Sequence, residues 1–378
     1  YPTGETGVQA ALLIYKNTVV GGDVLSLLTF LSIGFSNAGQ IIISQYIGAG
    51  LRERLSRFIG TMTSFLLLCA VGISALCLLL REQILCWLNT PAEALAYARE
   101  YATTCMLGLV FIYGYNTVSA ILRGMGESKL PMYFVGVAAV INVVLDLLFV
   151  GVFHMGVWSA AAATAISQLV SMALCLLRLM RSERAYRVSL RKIRFDRRAL
   201  LEILQNGLPA GLQNSIISIG NVVVQSNINQ FGAAAMAGCG AHSRIEGFGF
   251  LPVTCFTMAL TTFVSQNLGA KAYDRVKKGI RVGIFCSVTI AETIALLIFI
   301  FSPKLIGLFT GDAESIAFGV MHERTTTPFF FLLAYSHCMA AIFRGAGKST
   351  VPMLVMLLCW CIIRVAYVTF AVKFFPVL

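Results

Sequence analysis

Long apolar stretches separated by short polar breaks run through the whole chain. They fall at about 22–47, 58–80, 96–122, 131–153, 158–180, 203–230, 235–266, 279–302, 326–344 and 350–373. About 20 apolar residues are enough for a helix to cross the roughly 30 Å of bilayer hydrocarbon. Continuous runs of this length, without period-two alternation, predict transmembrane helices rather than strands. The pattern therefore predicts an all-α polytopic membrane protein with about ten complete spans. Residues 1–21 are short, Gly-bearing and only partly apolar, and no span is assigned to them.

The polar breaks orient the spans. Arg52, Arg54 and Arg57 share one break, and Arg123 and Lys129 another. The connection after 178 holds Arg178, Arg181, Arg184, Arg187, Arg191, Lys192, Arg194, Arg197 and Arg198. Lys271, Arg275, Lys277, Lys278 and Arg281 follow, then Arg344 and Lys348. The alternate breaks hold little more than Arg81, Arg99, Lys304 and Arg324. Excess Lys and Arg marks the cytoplasmic side, so the first set of loops is cytoplasmic.

Composition narrows the class. The chain is 58% hydrophobic and 12% charged, against about 25% charged for a soluble domain. A disordered chain, a coiled coil and an ordinary soluble enzyme are excluded. The net charge of +12 sits in the loops that orient the spans and does not point to nucleic acid. Most of the 11 cysteines lie within apolar spans, where free Cys behaves as a small hydrophobe. No His/Cys metal-ligand pattern and no hydrolase or zincin motif is present, so no enzyme and no cofactor are expected.

The sequence repeats itself at an offset of 221. Residues 43–54 read ISQYIGAGLRER and residues 264–275 read VSQNLGAKAYDR; 120–132 read AILRGMGESKLPM and 341–353 read AIFRGAGKSTVPM. The matching loops are basic in both halves, so equivalent helices share one orientation and an even number of crossings separates them. Six helices fill the period. Parallel repeats of this kind place substrate between two halves that rock to alternate access. The same arithmetic puts the partner of helix 203–230 before residue 1 and that of helix 158–180 after residue 378. The expected full architecture is thus twelve helices in two parallel six-helix repeats, with the first and last absent from this chain. The division expected is an N-terminal lobe over 1–180, a basic cytoplasmic linker over 181–200 and a C-terminal lobe over 201–378.

Several of these segments resemble the multidrug and toxic compound extrusion (MATE) family, bacterial type. They are the ISQYIGA turn at 43–49, the LRGMGESKLPM turn at 122–132, the NVVLD run at Asn142–Asp146, and the segments 209–232 and 240–252. The resemblance covers about residues 22–378. It implies a multi-pass inner-membrane antiporter that exports organic, often cationic, compounds in exchange for H+ or Na+, acting as a monomer on small molecules. The family's aspartate on its first helix falls near or before residue 1. A lipid-linked substrate flippase of similar architecture and an inactive truncated remnant are the competing readings.

Ionisable residues within spans are costly and mark functional sites by default. Asp146 is the first candidate, with Asn142 one turn earlier on the same face. A carboxylate beside an amide oxygen offers hard ligands for Na+, or a carboxyl that carries a proton. The resemblance adds Thr164 of the next helix to this cation-coupling set. Glu246, with His242 on its face, is the second candidate: it attracts a cationic substrate, carries a proton, or forms a structural ion pair with Arg364 or Arg244. Asn214, Ser218, Asn221, Gln225 and Asn229 recur every three or four residues on one helix face. In lipid such a face meets another helix or a wet cavity; we expect Asn214, Asn221, Gln225 and Asn229 to line the substrate cavity. His337 and Tyr335 suit either a cavity wall or the core. Pro252 is expected to kink its helix, Arg123 and Arg344 to cap helix ends, and Glu292 has no assigned role.

Overall fold

The computed structural model describes residues 29–87, 95–156, 158–181 and 195–374. Residues 1–21, five of the basic residues of the expected linker (Arg184, Arg187, Arg191, Lys192 and Arg194) and the side chains of Asn214, Ser218 and Asn229 lie outside what is described.

Among the described residues there are helices and turns and no strand. In chain order they are α1 (29–48), α2 (Arg52–Leu79), α3 (Arg81–Trp87), α4 (Leu95–Gly124), α5 (Lys129–Asp146), α6 (Trp158–Arg181), α7 (Arg197–Ile228), α8 (Ala233–Gly269), α9 (Tyr273–Gly307), α10 (Ala313–Thr326), α11 (Phe330–Gly345), α12 (Thr350–Met356) and α13 (Arg364–Phe374). A π-helical turn, Leu147–Val152, extends α5, and another, Leu357–Ile363, joins α12 to α13. Eight spans among the described residues are long and apolar enough to cross a membrane. The helix α7, with its polar stripe, is not one of them.

One boundary is corrected. The sequence pattern starts a span at 326, but the crossing runs over Ala313–Gly345 as α10, a short 3-10 turn at Thr327–Phe329 and α11. Asp312 starts it as an N-cap, accepting from the amide (2.9 Å) and hydroxyl (2.7 Å) of Ser315. Those two donors hold the Asp312 carboxyl below the usual carboxylate range. The polar run from His322 to Thr327 hides this first half from a hydropathy reading. The helix α8 continues through Pro252 without interruption.

The described residues divide into two compact units, one within 1–47 and 51–211, the other within 48–50 and 212–378. In the first, α2, α4 and α6 bring together Phe58, Met62, Leu66, Leu109, Tyr113 and Cys175 as a buried core. Small buried residues on α6 (Ser159, Ala161, Ala163, Ser167, Ser171) allow close approach to α4. Facing α4, the helix α1 buries a polar row, Ser32, Ser36, Gln40 and Ser44. Asn116 donates to Ser32 at 3.3 Å, Arg123 to Gln40 at 3.0 Å, and Ser44 to the Gly124 carbonyl at 3.1 Å. Val137, Val140, Val143 and Val144 of α5 point outward, as lipid-facing side chains do.

The second unit repeats this geometry at the offset of 221. Ser265 Oγ donates to the Gly345 carbonyl at 3.0 Å. Gly126 (φ 88°) and Gly347 (φ 78°) take the same left-handed turn, closed by N–H bonds to the carbonyls of Arg123 and Arg344, both at 2.9 Å. The carbonyl at each helix end is thus taken by a serine, whereas the Arg123 guanidinium reaches Gln40 and Ser119. That corrects the expected capping role for Arg123. The core of this unit combines Ala241 and Ile245 of α8 with Ala295, Ile298 and Ile306 of α9 and Phe330 of α11.

Candidate functional site

In the first unit Asp146 is the last α-helical residue of α5, at the point where the helix relaxes into its π turn. A π turn interrupts the regular hydrogen-bond ladder and often marks a working site. One turn earlier, Asn142 Nδ2 donates to Thr164 Oγ1 of α6 at 3.4 Å. Thr164 in turn donates to the Ala160 carbonyl at 3.1 Å. Asp146 Oδ1 is buried and has no hydrogen-bond partner among the described residues; Gln168 Oε1, one turn beyond Thr164, is the same. Tyr101 of α4, paired with Cys105, lies within electrostatic reach of Asp146. The structure therefore brings Asn142 and Thr164 into contact and sets Asp146 beside them. Tyr101 and Gln168 are neighbours that no sequence motif singled out. The oxygens are carboxylate, amide and hydroxyl, a donor set that suits a hard monovalent cation or a proton.

In the second unit the charged side chains inside the spans fall into two groups. Arg364 opens α13 directly after the second π turn. Its guanidinium donates to Asn221 Oδ1 at 2.8 Å and lies 5.0 Å over the Trp360 ring. Glu246 is within its electrostatic reach, but Glu246 pairs with His242 Nε2, at 3.8 Å. This corrects the expected structural pair: Arg364 is held by an amide and an aromatic face, and Arg244 is exposed. Asn221 is exposed and Gln225 half-buried.

Of the other group the sequence singled out only His242; His322 and Glu323 were missed. His242 Nδ1 lies 3.1 Å from Glu323 Oε1 of α10, and its ring stacks on His322 with centroids 3.8 Å apart. Hydropathy assigned the stretch carrying His322 and Glu323 to a loop. The Asp312 N-cap, with Ser315 three residues on, was the signal that a helix starts before them.

Glu292 has a structural place. Its Oε1 accepts the Phe331 N–H at 2.6 Å, satisfying one of the unpaired donors at the start of α11. His337 packs edge-on against Phe250, with centroids 4.8 Å apart, and Tyr335 is exposed.

Comparison with known proteins agrees with this geometry. The MatE family profile matches residues 18–148 and 209–369. The probable multidrug resistance protein YpnP of Bacillus subtilis is 29% identical over 341 residues, covering 90% of this chain and 76% of the relative. The probable multidrug resistance protein NorM of Thermotoga maritima is 28% identical over 348 residues, covering 91% and 75%. A FAD transporter of Shewanella oneidensis is 25% identical over 308 residues, covering 75% and 67%. Among solved structures, MATE in complex with MaD3S superposes with a TM-score of 0.91 at 22% identity, covering 97% of this chain and 82% of that one. At that identity the likeness is one of fold. The chain belongs to the MatE family of multi-pass membrane transporters.

Proposed function

We propose that this transporter exports small organic, often cationic, compounds across the inner membrane of a bacterium in exchange for H+ or Na+. Asp146, Asn142 and Thr164 form the coupling site of this reading. The observation that carries it is the buried Asp146 oxygen without a hydrogen-bond partner, placed at a π turn beside an amide and a hydroxyl. Asp146 is half-buried, but a carboxylate oxygen buried without a donor is costly, and a cation or a proton lowers that cost. Loading and unloading that site changes the charge beside a helix whose ladder is already broken, which favours a change in its bend. The drug names carried by YpnP and NorM support the substrate class. Glu246 and the amides Asn214, Asn221, Gln225 and Asn229 supply the polar side of a substrate cavity, and the chain works as a monomer.

The test is transport by the full chain in sealed proteoliposomes with the cationic dye ethidium. Imposed H+ and Na+ gradients are applied separately. Dye movement against its gradient under one of them supports the reading; movement under neither, with folded protein, rejects it.

A further inference from the structure

The second unit holds a buried acid that the proposed coupling site does not use. Glu323 has no solvent-exposed surface, and among the described residues neither of its carboxylate oxygens has a well-directed hydrogen bond. Its nearest partner is His242 Nδ1 at 3.1 Å; His242 is 4% exposed at its side chain. The other nitrogen of that ring, Nε2, lies 3.8 Å from Glu246 Oε2, and the Glu246 side chain is 39% exposed. One imidazole therefore stands between a buried carboxyl and an accessible one.

The backbone fixes this arrangement. Gly238 of α8 and Gly319 of α10 lie one turn before His242 and Glu323, respectively. A Cβ on Gly319 would sit 3.0 Å from the Gly238 carbonyl, and one on Gly238 would run into the Ser315 carbonyl. Two glycines bring α8 and α10 into backbone contact, and the His–Glu pair sits one turn further on. The pair is about 14 Å along each helix from its start, at 1.5 Å per residue. Both residues lie inside helices long and apolar enough to cross a membrane.

Burial decides the chemistry. The pair holds one proton at no net charge, as His+ and Glu− or as neutral His and protonated Glu. Losing that proton leaves a buried carboxylate alone, and gaining another leaves a buried imidazolium alone; each is costly. His322, stacked on His242, opposes charge on both rings at once. The remaining charged groups are accounted for. Arg364 of α13 is within electrostatic reach of Glu246 and His322. Arg324 of α10 lies 5.5 Å from the Phe299 ring of α9. Glu292 of α9 is occupied by the Phe331 amide, and Arg244 of α8 is exposed. No three His, Cys, Asp or Glu groups among the described residues converge as metal ligands would.

We infer that Glu246, His242 and Glu323 form a proton-binding relay in the second unit, with Glu323 as its buried terminus. A proton on Glu246 passes to His242 Nε2 as the proton on Nδ1 passes to Glu323. The sum is one proton moved from the accessible carboxyl to the buried one, with the imidazole left as its other tautomer. The relay stands apart from Asp146 and does not rest on the export reading.

The test is infrared difference spectroscopy of the full chain in lipid after a step between acidic and alkaline buffer, which reads protonated carboxyl groups directly. A carboxyl band is expected that disappears in Glu323→Gln and persists in Asp146→Asn. In Glu246→Gln the band is expected to remain but to respond at least about a hundredfold more slowly, the scale of a lost acid–base step. If Glu323→Gln does not fold, the unaltered protein serves. It contains four histidines, so ring-15N spectra resolve them, and the His242 nitrogens are expected to shift at the midpoint of the carboxyl band. A band unchanged in Glu323→Gln overturns the relay, as do His242 nitrogens that stay constant across the pH step. If Asp146→Asn alone abolishes the band, it belongs to the other site and the relay is wrong.

Discussion

The Ser44 hydroxyl donates to the carbonyl oxygen of Gly124 at 3.1 Å, and 221 residues later Ser265 does the same to Gly345 at 3.0 Å. Each bond closes a helix end inside its own unit. The glycine is required because a Cβ would meet backbone and an Ile or Val side chain: Gln40 O at 2.9 Å for Gly124, Thr261 O at 2.9 Å for Gly345. Ser44→Ala and Ser265→Ala should each lower stability by about 1–2 kcal/mol, the cost of a lost bond to a buried carbonyl. Gly124→Ala and Gly345→Ala should cost more, since the helices must separate. Thermal unfolding of the purified chain in lipid checks the order; equal stability of all four variants and the parent would show that these contacts carry no weight.

Glu292 lies inside a span and is taken up by a backbone contact. Because its carboxylate accepts the Phe331 N–H at 2.6 Å, Glu292→Gln keeps an acceptor and should leave both stability and dye export near the parent's. Glu292→Ala should destabilise by about 1–3 kcal/mol yet leave the export rate per folded molecule unchanged. Export that falls in Glu292→Gln at full folding would assign it a transport role instead.

The start of α10 should be acid-sensitive. Ser315's hydroxyl and amide hold the Asp312 carboxyl below the usual carboxylate range, so the cap's contribution is present above the unfolded-state value and is lost as pH falls through the lowered one. Hydrogen exchange at the Ser315 amide should quicken as pH falls through that range, after correction for intrinsic rates. In Asp312→Asn, which keeps a capping oxygen without a titrating one, the acid-dependent step should vanish. Its persistence would place the sensitivity elsewhere.

Arg364 is held by the Asn221 amide and the Trp360 face. A lysine offers neither the planar fork nor the same stacking. Arg364→Lys should therefore destabilise by about 1 kcal/mol, and Asn221→Ala should weaken the same contact. A double-mutant cycle that gives additive effects would show that the two side chains act separately.

Much of this structure was legible in the sequence because lipid imposes long apolar runs. The repeat was legible because turns such as Gly126 and Gly347 tolerate few substitutes. Asn142 and Asp146 could be named in advance, since an acid and an amide four residues apart share a helix face; Thr164 came only with the family resemblance. The Glu323 site could not be named in advance. His322 and Glu323 lie in a run polar enough to read as loop, and their neutralising partner His242 is eighty residues away. The π turns at Leu147–Val152 and Leu357–Ile363 also left no periodic signature, because each shifts the helix face over only a few residues. The buried row Ser32, Ser36, Gln40 and Ser44 was not singled out in the sequence, because its role depends on Asn116 and Arg123 of α4.

Asp146 carries the proposed coupling, and its replacement tests that most directly. The full chain and Asp146→Asn are reconstituted at equal density and compared for ethidium export under the gradient that drives the parent. Asparagine keeps the size and one acceptor oxygen but neither the charge nor the exchangeable proton. Asp146→Asn is predicted to remain folded, to bind dye, and to lose gradient-driven export. Export at the parent's rate under the same gradient would contradict the assignment of coupling to Asp146.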